Sequence, residues 1–175
     1  MKYLIIGLGN IGEQYSLTRH NVGFLFLDYL AHSLDSSFSF KKAFNASILN
    51  VNDLLLFKSH TFMNNSGDNI SKVLKYYKIS IDHIIVVYDD LDIEFGNFKI
   101  GGKFPKTHNG LYSIIENIKS TQFVNIRIGI GKENMNISGL DYVLTNFNKK
   151  ELDLLNKSIF PDVVSVLRKT INLDE

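Results

Sequence analysis

Five apolar residues in succession, Ile84-Ile85-Val86-Val87-Tyr88, run straight into the carboxylates of Asp89-Asp90-Leu91-Asp92. So short a β-branched run has no polar face to offer water, so it reads as a strand covered on both sides within an α/β sheet. In such sheets the carboxyl ends of strands border the crevice where ligands bind, so Asp89 is a candidate for chemistry from the outset. Tyr3 to Ile6 repeats the pattern and stops at Gly7.

The remaining segments fill in the architecture. From Asn21 onward, Val22, Phe24, Leu25, Leu27, Leu30 and Leu34 recur at helical spacing, with Asn21 as the expected cap. Phe44 to Val51 and Leu54 to Lys58 flank the turn Asn52-Asp53, which predicts a hairpin and hence a mixed sheet. A second helix is expected over Ser66 to Lys78, opening near Asn64 and Asn65. Strands are expected at Phe95 to Ile100 and Phe123 to Ile130, with a helix over Leu111 to Ile118 between them. Beyond a polar loop around Glu133 to Ser138 the chain reads as helical, with Pro161 opening the last segment. With 175 residues and no linker or repeat, the reading is one domain over 1–175, a central twisted mixed sheet flanked by helices.

Composition narrows the chemistry. Without cysteine there is no disulfide framework, thiol nucleophile or thiolate metal site. No stretch approaches a membrane span, the N-terminal apolar run is too short for a signal peptide core, and the expected address is the cytosol. Gly7-Leu8-Gly9-Asn10-Ile11-Gly12 has the spacing of a dinucleotide loop, but the polar, aperiodic Glu13 to Arg19 delays the helix that would meet a pyrophosphate. His20, at the entrance of the first helix, is suited to general base work near neutral pH and needs an orienting acceptor, for which Asp89 is the candidate. Asp89-Asp90-Leu91-Asp92 is also readable as a divalent metal site or a solvated turn, and the turn is the default for Asp90 and Asp92. Asn64 and Asn109 are cap candidates; asparagines converging on a crevice would equally suit a substrate with carbonyls and amide protons.

Taken together, Gly7-Leu8-Gly9-Asn10, Tyr15, Thr18-Arg19-His20-Asn21, Thr61-Phe62-Met63-Asn64, Asp89-Asp90-Leu91-Asp92, His108-Asn109-Gly110-Leu111 and Arg127-Ile128-Gly129-Ile130-Gly131 resemble the bacterial peptidyl-tRNA hydrolase family. The resemblance implies a monomeric α/β enzyme without cofactor or metal. It would cleave the ester joining a peptide to the terminal ribose of tRNA and so recycle tRNA from prematurely released peptidyl-tRNA. It implies that His20 deprotonates water, that Asp89 keeps that base ready, and that Asn10 helps distinguish N-blocked from free aminoacyl-tRNA. Tyr15, Phe62, Asn64 and Asn109 match substrate contacts, and Lys99 and Arg127 match contacts to RNA.

Some stretches depart from that family's pattern. Gly101-Gly102-Lys103-Phe104-Pro105-Lys106-Thr107 is longer and less glycine-rich than expected before His108 and Asn109. The C-terminal region resembles the family only through Asp141-Tyr142-Val143-Leu144, where a lid over the peptide cleft is expected, and the chain stops at Glu175. The net charge of +1 conceals an acidic stretch, Asp82 to Glu94, followed by Lys99, Lys103, Lys106, Lys119, Arg127 and Lys132 against the single acid Glu116, a candidate phosphate-facing stripe. A tRNA-binding protein without catalysis and a nucleotide-dependent enzyme remain as alternatives.

Overall fold

The computed structural model describes residues 1–131 and 136–172. Its centre is a seven-stranded sheet built from β1 (Tyr3–Gly7), β2 (Ser39–Lys41), β3 (Ala46–Val51), β4 (Leu54–Ser59), β5 (Ile84–Glu94), β6 (Phe98–Ile100) and β7 (Val124–Gly131). The order across the sheet is β2-β3-β4-β1-β5-β7-β6. β1 pairs in parallel with β4 and β5, and β5 with β7, whereas the β2-β3, β3-β4 and β6-β7 pairs are antiparallel. The mixed sheet expected from the Asn52-Asp53 turn is therefore present: Val51 faces Leu54 across the turn, and Asn52 adopts the left-handed conformation.

Alternation along the central strands feeds two apolar layers. Ile5, Ile85 and Val87 pack with Val22 and Phe26 of α1 (Val22–Ser33) and, farther along the chain, with Phe160. Leu4, Ile6, Val86 and Tyr88 pack on the other face with Ile70 of α2 (Ile70–Tyr77) and Leu111 and Ile114 of α3 (Asn109–Ile118). Each fully buried side chain of this kind stabilises by about 1.5–3 kcal/mol. The chain continues through α4 (Gly139–Val143), α5 (Lys149–Leu154), a π-helical stretch over Leu155–Ile159, and α6 (Phe160–Thr170), in whose first turn Pro161 sits. Asn148 and Glu151 form a reciprocal capping box at the start of α5.

Several boundaries differ from the sequence reading. The strand at Ile84 does not stop at Tyr88 but runs to Glu94, so Asp89, Asp90 and Asp92 lie within β5 rather than in a turn; Asp89 and Asp90 pair with Ile128 and Gly129, and a register shift follows Asp90. Helix α2 starts at Ile70, not Ser66, because Asn69 sits in the left-handed conformation and the 3₁₀ turn Met63–Asn65 comes first. Asn64 and Asn65 therefore cap nothing. The side chain that caps α3 belongs to His108, whose Nδ1 accepts from the Leu111 N–H, and not to Asn109. Asn21 does occupy the N-cap position of α1, as expected, but its side chain makes no capping bond there. Strand β2 was not legible in the sequence, and β6 is confined to Phe98–Ile100. Lys132 and Glu133 to Met135 of the expected polar loop, and Leu173 to Glu175, lie outside the described residues.

The start of α1 is clamped to the sheet through two glycines. A Cβ on Gly23 would meet the carbonyl of Val87 and stand 2.6 Å from Leu8 N, and one on Gly7 would stand 2.5 Å from Gly23 O. These neighbours are backbone and cannot yield. Gly23→Ala is expected to lower stability by about 3 kcal/mol and Tm by roughly 6–12 °C, measured by thermal unfolding; an unchanged Tm would contradict this packing argument.

Candidate active site

That close approach delivers the short turn ahead of α1, residues Arg19–Asn21, to Asp89 in the middle of β5, just past the point where β1 ends. His20 Nδ1 lies 3.0 and 2.9 Å from the two carboxylate oxygens of Asp89. A second imidazole meets the same carboxylate, with His108 Nε2 2.8 Å from Oδ1. The tautomer of His108 follows from its two contacts: Nδ1 accepts the Leu111 N–H at 3.2 Å, so Nε2 bears the proton and donates to Asp89. Asp89 can only accept, so His20 donates from Nδ1, leaving Nε2 on the far side of the ring as the lone-pair nitrogen.

Burial alone would push the Asp89 carboxyl up, but His20 and His108 override it and hold the group well below the usual carboxylate range. The carboxylate thus stays charged at any pH where the protein works, 3% exposed and fixed between two N–H donors. The three side chains offer ligand atoms all within 4.8 Å of one another, close enough to consider a cation. Their arrangement is nonetheless complete as a hydrogen-bonded row, since both nitrogens facing Asp89 carry protons in this pattern.

Asn10 follows β1 and is held from three directions. Asn21 grips its backbone, accepting from Asn10 N at 2.8 Å through Oδ1 and donating to Asn10 O at 2.9 Å through Nδ2. The Asn10 side-chain Oδ1 accepts from Met63 N at 2.7 Å. This fixes the orientation of the amide: Oδ1 is taken, and Nδ2 is the donor left over. The bond to Met63 also brings the Phe62 to Asn64 segment against the site, and Met63 sulfur lies where a Cβ on Gly110 would stand, which draws in the start of α3 and Asn109. Asn64 and Asn109 are exposed. Tyr15 and Phe62 meet edge to face at 6.2 Å, with Phe62 57% exposed.

The residues singled out in the sequence therefore fall into three groups. His20 and Asp89 are in contact, Tyr15 meets Phe62, and the Asn10 side chain meets the segment Phe62 to Asn64, while Asn64 and Asn109 are placed nearby only as the chain neighbours of Met63 and His108. Lys99 and Arg127 are cross-strand neighbours on β6 and β7 instead. Lys99 is exposed, while the Arg127 guanidinium donates to Asp90 at 3.1 Å and to the Gly101 carbonyl at 3.1 Å. Gly101 and Gly102 both have positive φ, and a Cβ on Gly102 would stand 2.6 Å from Arg127 Nη2, so the shortened glycine run keeps glycine where the turn requires it. The glycines at 7 and 9 serve packing against Gly23 and Phe24, and α1 begins only at Val22, after the 3₁₀ turns Glu13–Tyr15 and Arg19–Asn21, so the loop does not run directly into a long helix as a dinucleotide loop does. His108 as the second partner of Asp89 and Asn21 as the clamp on Asn10 are roles the sequence reading did not give, although both residues stand within the motifs that carry the family resemblance.

A seam behind His20 joins the catalytic turn to the C-terminal helices. Arg19 is bidentate to Glu151, at 2.7 and 3.1 Å, donates from Nε to Thr145 Oγ1, and carries the rings of Tyr142 and Phe147 at 4.8 and 5.0 Å. The expected lid segment, Asp141 to Leu144, is thereby anchored at Tyr142, while Leu144 is 49% exposed.

Comparison with known proteins gives a consistent result. A family profile described as peptidyl-tRNA hydrolase matches residues 4–174. A peptidyl-tRNA hydrolase of Aliarcobacter butzleri is 42% identical over 177 residues, covering 99% of this chain and 95% of that protein. One from Clostridium botulinum is 37% identical, covering 97% and 92%. The crystal structure of peptidyl-tRNA hydrolase from Acinetobacter baumannii superposes with a TM-score of 0.83 at 29% identity, over 98% of this chain and 91% of that one.

Proposed function

Since this chain belongs to the peptidyl-tRNA hydrolase family, and so hydrolyses the ester bond of peptidyl-tRNA, we propose that the reagent is a water molecule deprotonated by His20. The observation that carries this reading is the row His20–Asp89–His108, which leaves His20 Nε2 as the lone-pair nitrogen of the imidazole next in sequence to Asn21, the residue that holds Asn10. Water loses a proton to Nε2 as its oxygen bonds to the ester carbon. When the tetrahedral intermediate collapses, the bond to the ribose oxygen breaks and that oxygen takes the proton back from His20. An aminoacyl ester is activated relative to an amide, so one base and a positioned water suffice, with no metal and no covalent nucleophile.

The amides of Asn10, Asn64 and Asn109 supply donors and acceptors for the peptide carbonyls, N–H groups and developing oxyanion. Asn10 Nδ2 donates to the blocked amino end, which a free, charged ammonium would repel. Tyr15 and Phe62 frame the mouth of the site. Lys99 and the part of the Arg127 guanidinium not engaged by Asp90 meet tRNA phosphates. The whole chain, 1–175, acts as one unit and a monomer in the cytosol; among the described residues no helix is long and apolar enough to cross a membrane.

The test is peptide release from N-acetylaminoacyl-tRNA and from free aminoacyl-tRNA in the presence of EDTA. Undiminished turnover of the blocked substrate is expected, and its abolition by EDTA would overturn the metal-free mechanism. Asn10→Asp keeps the acceptor for Met63 N–H but loses the donor, so the preference for the blocked substrate should shrink by about tenfold, the worth of one hydrogen bond. Unchanged preference would remove Asn10 from substrate selection. Binding of tRNA without any turnover would instead leave a binding protein.

A further inference from the structure

On the opposite edge of the sheet from Lys99, a groove of about 810 Å³ opens between β2, the turn Lys42–Phe44 and α2. Lys41 and Lys42 stand on one wall and Lys72 and Lys75 on the other, all exposed, with no acidic residue lining the groove. Four like charges around one hollow repel one another and create a local positive potential that a neutral ligand would not relieve. Between them lie aromatic rings. Phe44 forms the floor, edge-on to Tyr76 at 5.5 Å, and Tyr76 is 71% exposed. Phe40, 53% exposed, stacks obliquely on His60 at 4.7 Å at the end nearer the catalytic cluster.

We propose that this groove binds single-stranded RNA, its phosphates on the four lysines and its bases stacked on Tyr76 and Phe40. The choice of partner follows from needing both features at once. A free phosphate or an acidic peptide would use the lysines but leave the rings facing water, and a bilayer is flat where these groups line a concavity. Base-paired RNA hides its base faces, whereas a single strand offers them at each nucleotide, and such stacking is tolerant of sequence. On α2, Lys72, Lys75 and Tyr76 share one face at the i, i+3 and i+4 positions, so one stretch of strand can touch a phosphate site and a stacking site together. The site is separate from the ester chemistry and from the contact proposed at Lys99: six inter-strand steps of about 4.8 Å put the two sheet edges roughly 30 Å apart.

The experiment is fluorescence anisotropy with a labelled ten-nucleotide oligoadenylate, a sugar-phosphate decamer lacking bases, polyglutamate, and phosphatidylglycerol vesicles. Oligoadenylate should bind with an affinity that falls steeply with salt, and Lys41→Glu/Lys72→Glu should weaken it by about tenfold or more and flatten that dependence. Tyr76→Ser, an exposed substitution, should weaken it by about 5- to 150-fold, the worth of one stacked base, without changing binding of the abasic decamer. Both effects should persist in a Lys99→Glu background, and kcat on N-acetylaminoacyl-tRNA should be unchanged in the groove variants. The proposal is overturned by oligoadenylate binding that ignores these substitutions, by equal binding of abasic decamer or polyglutamate, or by Tyr76-dependent binding of vesicles. It is equally overturned by a dimer that Tyr76→Ser dissolves, or by loss of oligoadenylate binding and kcat together.

Discussion

His20→Ala is expected to slow peptide release from N-acetylaminoacyl-tRNA by about 10²- to 10⁴-fold, the contribution of a positioned general base, with little change in KM or in thermal stability. The side chain is partly exposed and its hydrogen bonds are confined to Asp89, so its loss opens the site rather than the core. Asp89 remains paired with His108 in that variant, which keeps the middle of β5 in place. The measurement is single-turnover release with a folded control by circular dichroism. Wild-type rates in a folded His20→Ala protein would end the general-base assignment.

Asp89→Asn should cost nearly as much, and for a reason specific to this site. The carboxylate accepts from two imidazoles, whereas an asparagine offers one acceptor and one donor. His108 cannot adapt, because its Nδ1 is committed to the Leu111 N–H and its Nε2–H must find the remaining oxygen. The asparagine Nδ2 is thus turned on His20 Nδ1, which must become the acceptor, moving the ring proton to Nε2 and abolishing the base. A wrong tautomer of this kind costs up to about 10⁴-fold in a related dyad. The variant also bears on stability. A carboxyl held below its unfolded value stabilises the fold above the unfolded range, and that contribution disappears as pH falls through the native one. Loss of the stability difference between wild type and Asp89→Asn only at very low pH is the expected signature; wild-type turnover in a folded Asp89→Asn protein would refute the pairing.

The two buried strands and the hairpin were legible because periodicity and a β-branched run leave few alternatives, whereas Asp89, expected at a strand's carboxyl end, lies within β5, just past the point where its neighbour β1 stops. What was not legible has a common cause. Asn21 and Asn109 both sit where local rules call for a helix cap, and local rules cannot tell a side chain that turns back on its own backbone from one that reaches across the fold: Asn21 reaches Asn10, and the cap of α3 falls to His108, which also reaches Asp89. The Gly23 contact with Val87 helps to bring Asn21 to Asn10, and the packing of Gly110 on Met63 helps to bring His108 to Asp89. The acidic run was misread as a turn for a similar reason: Arg127, 37 residues on, supplies the partner that lets Asp90 stay in a strand. Of the two cations expected at RNA, the fold uses Arg127 for itself, engaging it with Asp90 and the Gly101 carbonyl.

The bidentate contact between Arg19 and Glu151 ties α5 to the turn that carries His20. Removing one member of a buried charge pair costs about 3–5 kcal/mol, and here the stranded guanidinium would be the immediate sequence neighbour of His20. Loosening of α5 is therefore expected to shift His20 as well as to weaken the fold, so heat that opens this seam should lower turnover together with stability.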